Sequence, residues 1–296
     1  MGLDVVSSRV LELVAADAKV EKVAGDCQFT EGPVWHARDQ YLLFSDIPAN
    51  RMRKWTPEAG LTDFRAPSGK SNGLTYDRQG RLITCEHANR RVSRTEADGT
   101  VVTLASHYQG KKLNSPNDVI VKSDGSICFS DPPYGLGAEY GVQAEQEQPW
   151  QGVYRLSPDG QTLSLLVDDF DRPNGLCFSP DEHLLYINDT ARMHVRVFAV
   201  KSDGTIDKGR IFAEEKGEGG APDGMKVDVL GNVYVTGPGG IWILSAQGEH
   251  LGTLRIPEGA ANLAWTGPQW KTLIITATTS VYRVECKVAG IPVGPA

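Results

Sequence analysis

Six stretches of the sequence begin with an oxygen-bearing side chain and continue into an apolar segment. They start at Glu31, Asn72, Asn117, Asn174, Asp223 and Asn262, with spacings of 41, 45, 57, 49 and 39 residues. Carboxylate and amide oxygens are the ligands that Ca²⁺, Mg²⁺ and Mn²⁺ prefer. Asparagine and aspartate also precede strands as turn residues, but glutamate is a poor turn residue, so Glu31 favours a functional interpretation.

The elements between these residues repeat as well. Each start is followed by a turn, such as residues 77–80, and then by a β-rich segment, such as residues 82–84. Four short strands in every 40 to 50 residues are typical of a β-propeller. The sequence therefore predicts an all-β, six-bladed β-propeller in one domain spanning residues 1–296. The sixth repeat contains only three strands, and residues 20–24 are predicted to supply its outer strand and close the ring.

This fold would bring the six residues together, because the first strand of each blade lines the central channel. The carboxylates of Glu31 and Asp223 would then converge on one axis, where they would repel each other and lose solvation. A divalent cation removes that problem, since its charge balances theirs. The pattern therefore predicts a metal ion at one mouth of the channel.

The second strand of each blade runs back toward the same mouth. Four of these strands end in an acid, namely Asp46, Glu86, Asp131 and Asp189. Acids close together can raise one another's pKa, which suits a general base near neutral pH. They can equally be residues that begin turns, and the pattern leaves both interpretations open. His87, directly after Glu86, is either a group that polarises substrate or a surface or supporting histidine.

The connection after Asp131 is the longest in the chain. Residues 132–151 contain Tyr134 and several acids and glycines. Such a segment beside a pocket is either a lid or partner surface, or a solvated insertion.

Composition limits the partners. The chain has 296 residues and a formal net charge of −7, which argues against a nucleic-acid partner because such proteins present a basic face. No apolar run has secretory or membrane-spanning length. A cytoplasmic protein without a membrane partner is expected, and its oligomeric state is left open.

Five motifs together resemble one known family. They are residues 29–35 (FTEGPVW), 113–118 (LNSPND), 131–136 (DPPYGL), 172–176 (RPNGL) and 221–225 (APDGM). The chain resembles the gluconolactonase, senescence-marker-protein and luciferin-regenerating-enzyme family, and in particular its bacterial gluconolactonase-like branch. The animal branch has an arginine that binds sugar lactones where this chain has Ser115.

The resemblance implies metal-dependent hydrolysis of a lactone, such as the sugar lactone gluconolactone. By position, Glu31, Asn174 and Asp223 resemble the metal ligands, and Asn117 resembles a residue at the metal that contacts substrate. Asp223 resembles the residue that moves protons, with Asp131 or Asp189 as alternative bases. One divalent ion is implied, with Ca²⁺ expected and Mg²⁺, Mn²⁺ or Zn²⁺ as alternatives. The remaining candidate substrate contacts are Asn72, Glu86, Asp131, Tyr134 and Asn262.

Two other functions stay open. Related six-bladed propellers, the paraoxonases and diisopropylfluorophosphatase, cleave lactones or phosphotriesters at a similar calcium ion. A metal-stabilised propeller can also serve as a binding scaffold without catalysis. The polar ring of side chains favours an enzyme over the scaffold, and a small lactone is the expected partner.

Overall fold

The protein is described by a computed structural model that covers residues 2–295. Within these residues it forms 27 strands and two short 3₁₀ helices. None of the helices in this part of the chain is long and apolar enough to cross a membrane. The N-terminal part contains β1 (Leu3–Val5), a 3₁₀ helix (Ser8–Glu12) and β2 (Glu21–Ala24).

The other strands build six antiparallel sheets, the blades, numbered here in chain order. Blade 1 consists of β3 (Thr30–His36), β4 (Tyr41–Asp46), β5 (Arg51–Thr56) and β6 (Gly60–Arg65). Blade 2 consists of β7 (Ser71–Tyr76), β8 (Leu82–Glu86), β9 (Arg91–Thr95) and β10 (Val101–Ala105). A small hairpin of β11 (His107–Tyr108) and β12 (Lys111–Lys112) follows.

Blade 3 consists of β13 (Val119–Val121), β14 (Ile127–Asp131), β15 (Gln151–Leu156) and β16 (Leu163–Phe170), with the second 3₁₀ helix (Tyr134–Leu136) after β14. Blade 4 consists of β17 (Pro173–Phe178), β18 (Leu184–Asp189), β19 (His194–Ala199) and β20 (Arg210–Glu214). Blade 5 contains β21 (Met225–Val227), β22 (Val233–Gly237), β23 (Gly240–Leu244) and β24 (His250–Arg255). Blade 6 contains β25 (Ala260–Thr266), β26 (Thr272–Ala277) and β27 (Ser280–Glu285).

The innermost strands form a closed ring. Each of them contacts the innermost strands of its two neighbours, in the cyclic order β3, β7, β13, β17, β21, β25 and back to β3. The predicted six-bladed β-propeller is therefore confirmed, with a channel along its axis.

The apolar core lies between neighbouring blades. Ile83 and Val92 of blade 2, for example, pack with Val119, Phe129 and Tyr154 of blade 3 in one buried cluster. Successive side chains of a strand point to opposite faces, and each face of a blade meets another blade. This explains why every residue of the inner strand β7 is buried, whereas the outer strand β6 is largely accessible.

The N-terminal part completes two blades. β2 pairs with β27, with Glu21 opposite Arg283, and this is the ring closure predicted from residues 20–24. β1 pairs with β24, with Leu3 opposite Leu254, and gives blade 5 a fifth strand that the sequence did not predict. A strand of three residues is too short to show a hydrophobic period.

Candidate functional site

Five of the six predicted ring residues line one cavity at a mouth of the channel. Glu31, Asn72, Asn117, Asn174 and Asp223 form its polar side, and its volume is about 170 Å³. Each of them lies at or just before the start of the first strand of its blade. Closure of the ring therefore brings together side chains that are far apart in the sequence.

Glycines beside the ring residues allow neighbouring first strands to approach closely. A Cβ on Gly32, which has a φ of +53°, would overlap the carbonyl oxygen of Asn72. A Cβ on Gly175 would overlap the carbonyl oxygen of Asp223, to which the Gly175 N–H donates at 3.1 Å. Because no side chain fits at these points, glycine sets the ring residues of adjacent blades side by side.

Glu31 is buried, and one of its oxygens is held by two donors. Oε2 accepts from the Gly32 N–H at 2.7 Å and from Asn262 Nδ2 at 3.0 Å. Asn262 therefore acts through Glu31 and does not itself line the cavity. Burial raises the pKa of Glu31 to about 7, against the lowering effect of the Gly32 N–H, and the nearby Asp118 carboxylate adds to the rise.

The carboxyl group of Asp223 is close enough to that of Glu31 for their charges to interact. Its N–H donates to Thr236 Oγ1 at 2.7 Å, which fixes the main chain. Loss of solvation in the cavity raises the pKa of Asp223 well above its usual range, and the Glu31 and Asp118 carboxylates raise it further. Asp118 is itself buried, and its Oδ2 has no hydrogen-bond partner within residues 2–295. Three acids therefore repel one another here, a condition that a cation would relieve.

His87 determines how the amides beside it are oriented. Its Nδ1 lies 3.0 Å from the carbonyl oxygen of Tyr140, and because a carbonyl only accepts, Nδ1 carries the proton. Burial lowers the pKa of His87 to about 4, so the ring is neutral at pH 7 and Nε2 accepts from Asn72 Nδ2 at 3.3 Å. The 3.2 Å contact of Nε2 with Asn117 Oδ1 joins two acceptors and is not a hydrogen bond in this tautomer.

Each ring amide donates a hydrogen bond to the next one along the ring, from Asn72 to Asn117 to Asn174. Asn72 Nδ2 also donates to Asn117 Oδ1 at 2.6 Å, and Asn117 Nδ2 donates to Asn174 Oδ1 at 2.5 Å. Asn174 Nδ2 donates to Thr190 Oγ1 at 3.1 Å, which donates to the Pro222 carbonyl at 2.7 Å. Since an amide oxygen has two lone pairs, Asn117 and Asn174 each keep one for a ligand.

The acids that end the second strands do not line the cavity. Asp46, Asp131 and Asp189 accept backbone N–H groups from the loop that precedes the first strand of their own blade. The donors are Gln28 and Phe29 for Asp46, Asn114 for Asp131, and Asp171 and Arg172 for Asp189. These acids therefore anchor the loops that carry the ring residues.

Glu86 and Asp131, two predicted substrate contacts, lie outside the cavity wall because other residues engage them. Glu86 forms an ion pair with Arg91 at 2.8 Å and accepts from Ser93 Oγ at 2.5 Å, so its carboxylate is used within its own blade. Asp131 is fully buried, and burial raises its pKa to about 7. The structure thus does not bring Glu86 or Asp131 to the cavity, nor Asp189 as an alternative base.

The insertion of residues 132–151 supplies an aromatic wall. Tyr134 and Tyr140 line the cavity, and the Tyr140 ring meets the Phe29 ring edge-on with centroids 5.3 Å apart. Lys70 Nζ holds the segment by donating to the Ala138 carbonyl at 2.7 Å. Two side chains of the segment therefore form part of the cavity wall, beside the polar ring.

The residues present fit an oxygen-preferring divalent cation. Within residues 2–295 no group of three His, Cys, Asp or Glu side chains is placed to hold a metal ion, so the acids alone do not make a site. Glu31 Oε1 receives no hydrogen bond in that part of the chain, and the Asn174 amide lies beside Asp223. Two carboxylates with raised pKa values, together with amide oxygens, form a donor set that a cation would stabilise.

Four cavity residues were not predicted as site residues. They are Phe29, Ile47, Tyr140 and Thr190. Phe29 lies within the first motif, and Ile47 and Thr190 directly follow the predicted acids Asp46 and Asp189, so position in the sequence was the available signal. Tyr140 lies in the insertion, which has no counterpart in the other repeats, and no pattern singled it out.

Known proteins show the same organisation. The model of the SMP-30/gluconolactonase/LRE-like region matches residues 29–279. A gluconolactonase of Zymomonas mobilis is 36% identical, over 96% of this chain and 86% of its own length. Pentonolactonase XacC of Haloferax volcanii is 28% identical, over 84% and 81%. The structure of a gluconolactonase from Xanthomonas campestris has a TM-score of 0.90 and 33% identity, covering 97% of this chain and 95% of the other.

The region matched by the family model includes all six ring positions and the inner strand of every blade. It also includes the five motifs on which the family resemblance was based. The chain belongs to the SMP-30/gluconolactonase/LRE-like family.

Proposed function

We propose that this protein is a divalent-metal-dependent lactonase that opens the ring of a sugar lactone. The observation that carries the proposal is the pairing of Glu31 and Asp223, two carboxyl groups with raised pKa values, beside a ring of directed amides. Relatives named gluconolactonase and pentonolactonase support a carboxylic ester hydrolase of this kind. The cavity suits such a substrate, since amides face its hydroxyl groups and aromatic rings cover its apolar face.

Glu31, Asn174 and Asp223 would hold the ion, with Asn117 next to Asn174. A bound divalent cation supplies polarisation of the lactone carbonyl and a lowered pKa for a nearby water. Ca²⁺ is the expected ion because the candidate ligands are carboxylate and amide oxygens, and Mg²⁺, Mn²⁺ and Zn²⁺ are the alternatives.

The chain's own residues perform the proton transfers and orient the substrate. Asp223 takes a proton from the attacking water and returns it to the ring oxygen, which leaves as an alcohol. Asn72 donates both amide hydrogens to neighbours, so its oxygen is free to accept from a substrate hydroxyl. Phe29, Tyr134 and Tyr140 reduce the access of bulk water.

The first experiment is a pH-indicator assay of D-glucono-1,5-lactone hydrolysis by the purified chain. The protein is assayed after chelation and again with Ca²⁺, Mg²⁺, Mn²⁺ or Zn²⁺ restored. Metal-dependent acid release above the spontaneous rate is expected, and parallel assays with pentonolactones define the preferred sugar. Hydrolysis of a phosphotriester but of no lactone would replace the proposal with the paraoxonase-type alternative.

Replacing Asp223 with asparagine tests the assigned residue. Asp223→Asn should lower kcat/KM at least about 100-fold, because a positioned base contributes that much or more, and should weaken Ca²⁺ binding measured by calorimetry. Asp98→Asn, an exposed change in a hairpin of blade 2, is the matched control and should alter neither quantity. Near wild-type turnover of Asp223→Asn with metal supplied would contradict the assignment.

A further inference from the structure

A second cavity lies at the opposite mouth of the channel. The first strand of each blade starts at the polar ring, so its last residues reach the other end. Trp35, Tyr76 and Trp265, near the ends of β3, β7 and β25, line this second cavity together with Val121. Its volume is about 130 Å³. These four residues give the cavity an aromatic and aliphatic part, and Arg78, Glu182 and Lys226 add charged groups to its wall.

The C-terminal segment forms one side of this cavity. Residues 291–294 line it, and the segment is tied across the mouth by defined contacts. The Val229 N–H donates to the Ala289 carbonyl at 2.9 Å, and the Gly290 N–H donates to the Trp270 carbonyl at 2.8 Å. The cavity is thus a bounded site in the fold and is distinct from the polar cavity, with which it shares no lining residue.

Lys226 places a positive charge in the wall of this cavity. Its Nζ donates to the Met225 carbonyl at 3.0 Å and forms no ion pair in the described part of the chain. The other charged residues of the wall, Arg78 and Glu182, pair with each other at 3.6 Å, and Glu182 is also engaged by Lys122 at 3.2 Å. Since an ammonium group has three donors, Lys226 keeps hydrogen-bonding capacity for a ligand, although its charge also acts on Glu31.

A second donor in the same wall lacks an acceptor. The indole Nε1–H of Trp35 is buried without a hydrogen-bond partner within residues 2–295. Unpaired donors and a cation without an ion pair favour an anionic ligand with acceptor atoms. The aromatic part of the wall favours a ligand with an apolar body, because hydroxyl groups placed against it would be buried without partners.

We propose that this cavity binds a small monocarboxylate with an apolar body, with the carboxylate on Lys226 and the body between Trp35, Tyr76 and Trp265. The size limits the ligand to about one small ring or a short chain, because an apolar cavity of about 150 Å³ accommodates benzene and this one is slightly smaller. A benzoate-like aromatic acid or a short-chain fatty acid matches both the volume and the single charge. This site is separate from the proposed lactonase site, and its occupancy does not depend on that proposal.

The test is a titration of the full chain with benzoate. Binding is measured by calorimetry and by the NMR signals of the tryptophan indole N–H groups. Saturable binding of one benzoate per chain is expected, with shifts of the Trp35 and Trp265 signals, which Trp35→Phe and Trp265→Phe identify. Lys226→Met should weaken benzoate binding at least 10-fold, and benzyl alcohol, which lacks the charge, should bind equally weakly to both proteins.

Three further variants locate the site. Ala264→Leu, which fills the cavity wall, should abolish benzoate binding, whereas the exposed Lys201→Met should leave it unchanged. Asp223→Asn should also retain it, because that residue lies at the other mouth. Absence of saturable binding up to about 10 mM, equal affinity of Lys226→Met, or loss of binding in Asp223→Asn would each overturn the proposal.

Discussion

His87 is the residue on which the amide orientations of the polar cavity depend. The Tyr140 carbonyl fixes its tautomer, and the tautomer makes Nε2 an acceptor for Asn72. The donor direction from Asn72 to Asn117 and Asn174 then leaves amide oxygens available to a ligand. His87 is thus a positioning residue that acts through the amides.

This role predicts a difference between two substitutions. His87→Leu removes the acceptor and should lower kcat/KM for lactone at least 10-fold, whereas His87→Gln can still accept from Asn72 and should retain most of the activity. Long-range ¹⁵N NMR of the wild type should show a neutral imidazole protonated at Nδ1. Equal losses in both variants, with an Nε2-protonated ring in the wild type, would contradict this role.

The ring residues could be read from the sequence, and the partners of the second-strand acids could not. Glu31 and Asp223 stand at repeated positions before apolar segments, and the fold converts that repetition into proximity. Asp131 and Asp189 repeat in the same way, but each is engaged by a loop of its own blade. Such contacts are made by loops of irregular backbone conformation, and an irregular conformation gives no periodic pattern in the sequence from which they could be predicted.

At the scale of strands, β17 approaches the segment before β21 so closely that one added methyl group at Gly175 should destabilise the fold. Gly175→Ala should destabilise the fold by about 1–3 kcal/mol through overpacking, because its Cβ would overlap the Asp223 carbonyl. Thermal unfolding measures the loss. Gly137→Ala is the matched control, since Gly137 has a φ of −99° and the nearest atom to its Cβ is 3.9 Å away. Equal stability of the two variants would argue against the close-approach requirement.

The residue after β20 makes stability depend on pH. Glu215 is 2% exposed, and neither of its carboxylate oxygens has a hydrogen-bond partner within residues 2–295. Burial raises the pKa of Glu215 to about 9. Between the usual carboxyl range and pH 9 the unfolded chain has therefore lost this proton while the folded chain keeps it, so stability falls as pH rises.

Glu215→Gln should remove that dependence. The variant should match the wild type at pH 4.5 and unfold at a higher temperature at pH 8, by about 2–4 °C for each kcal/mol regained. Thermal unfolding from pH 4.5 to 9 measures the effect. The exposed Glu218→Gln is a nearby control that should track the wild type at every pH, and a wild-type-like profile for Glu215→Gln would refute the prediction.

At the scale of the whole molecule, ring closure depends on the N-terminal segment. β2 covers the edge of β27, and Val10, Leu13 and Val14 belong to the buried cluster beneath blades 5 and 6. Deletion of residues 2–24 should lower the unfolding temperature by at least about 5 °C and promote aggregation through the exposed edge. Deletion of residues 2–6, which removes only β1, should do much less. Size-exclusion chromatography and thermal unfolding compare the two, and a monodisperse, equally stable long deletion would contradict the closure argument.

The architecture could be predicted from the sequence because each blade repeats the same order of turns and strands. Six starts at intervals of about 40 to 57 residues gave the number of blades, and the missing fourth strand of the last repeat indicated closure by residues 20–24. β1 was not predicted because its three residues pair with β24 through a tertiary contact that leaves no pattern in so short a segment. The single-domain organisation and the cytoplasmic location remain predictions.

The pairing of β2 with β27 also has a consequence for synthesis. The two strands lie about 250 residues apart in the chain, which a ribosome adds in about 13 to 50 s at 5–20 residues per second. During that interval β2 has no partner, and the charges of Glu21 and Lys22 protect it from pairing with other chains. Translation, and not the folding of any single blade, therefore sets the earliest moment at which the ring can close.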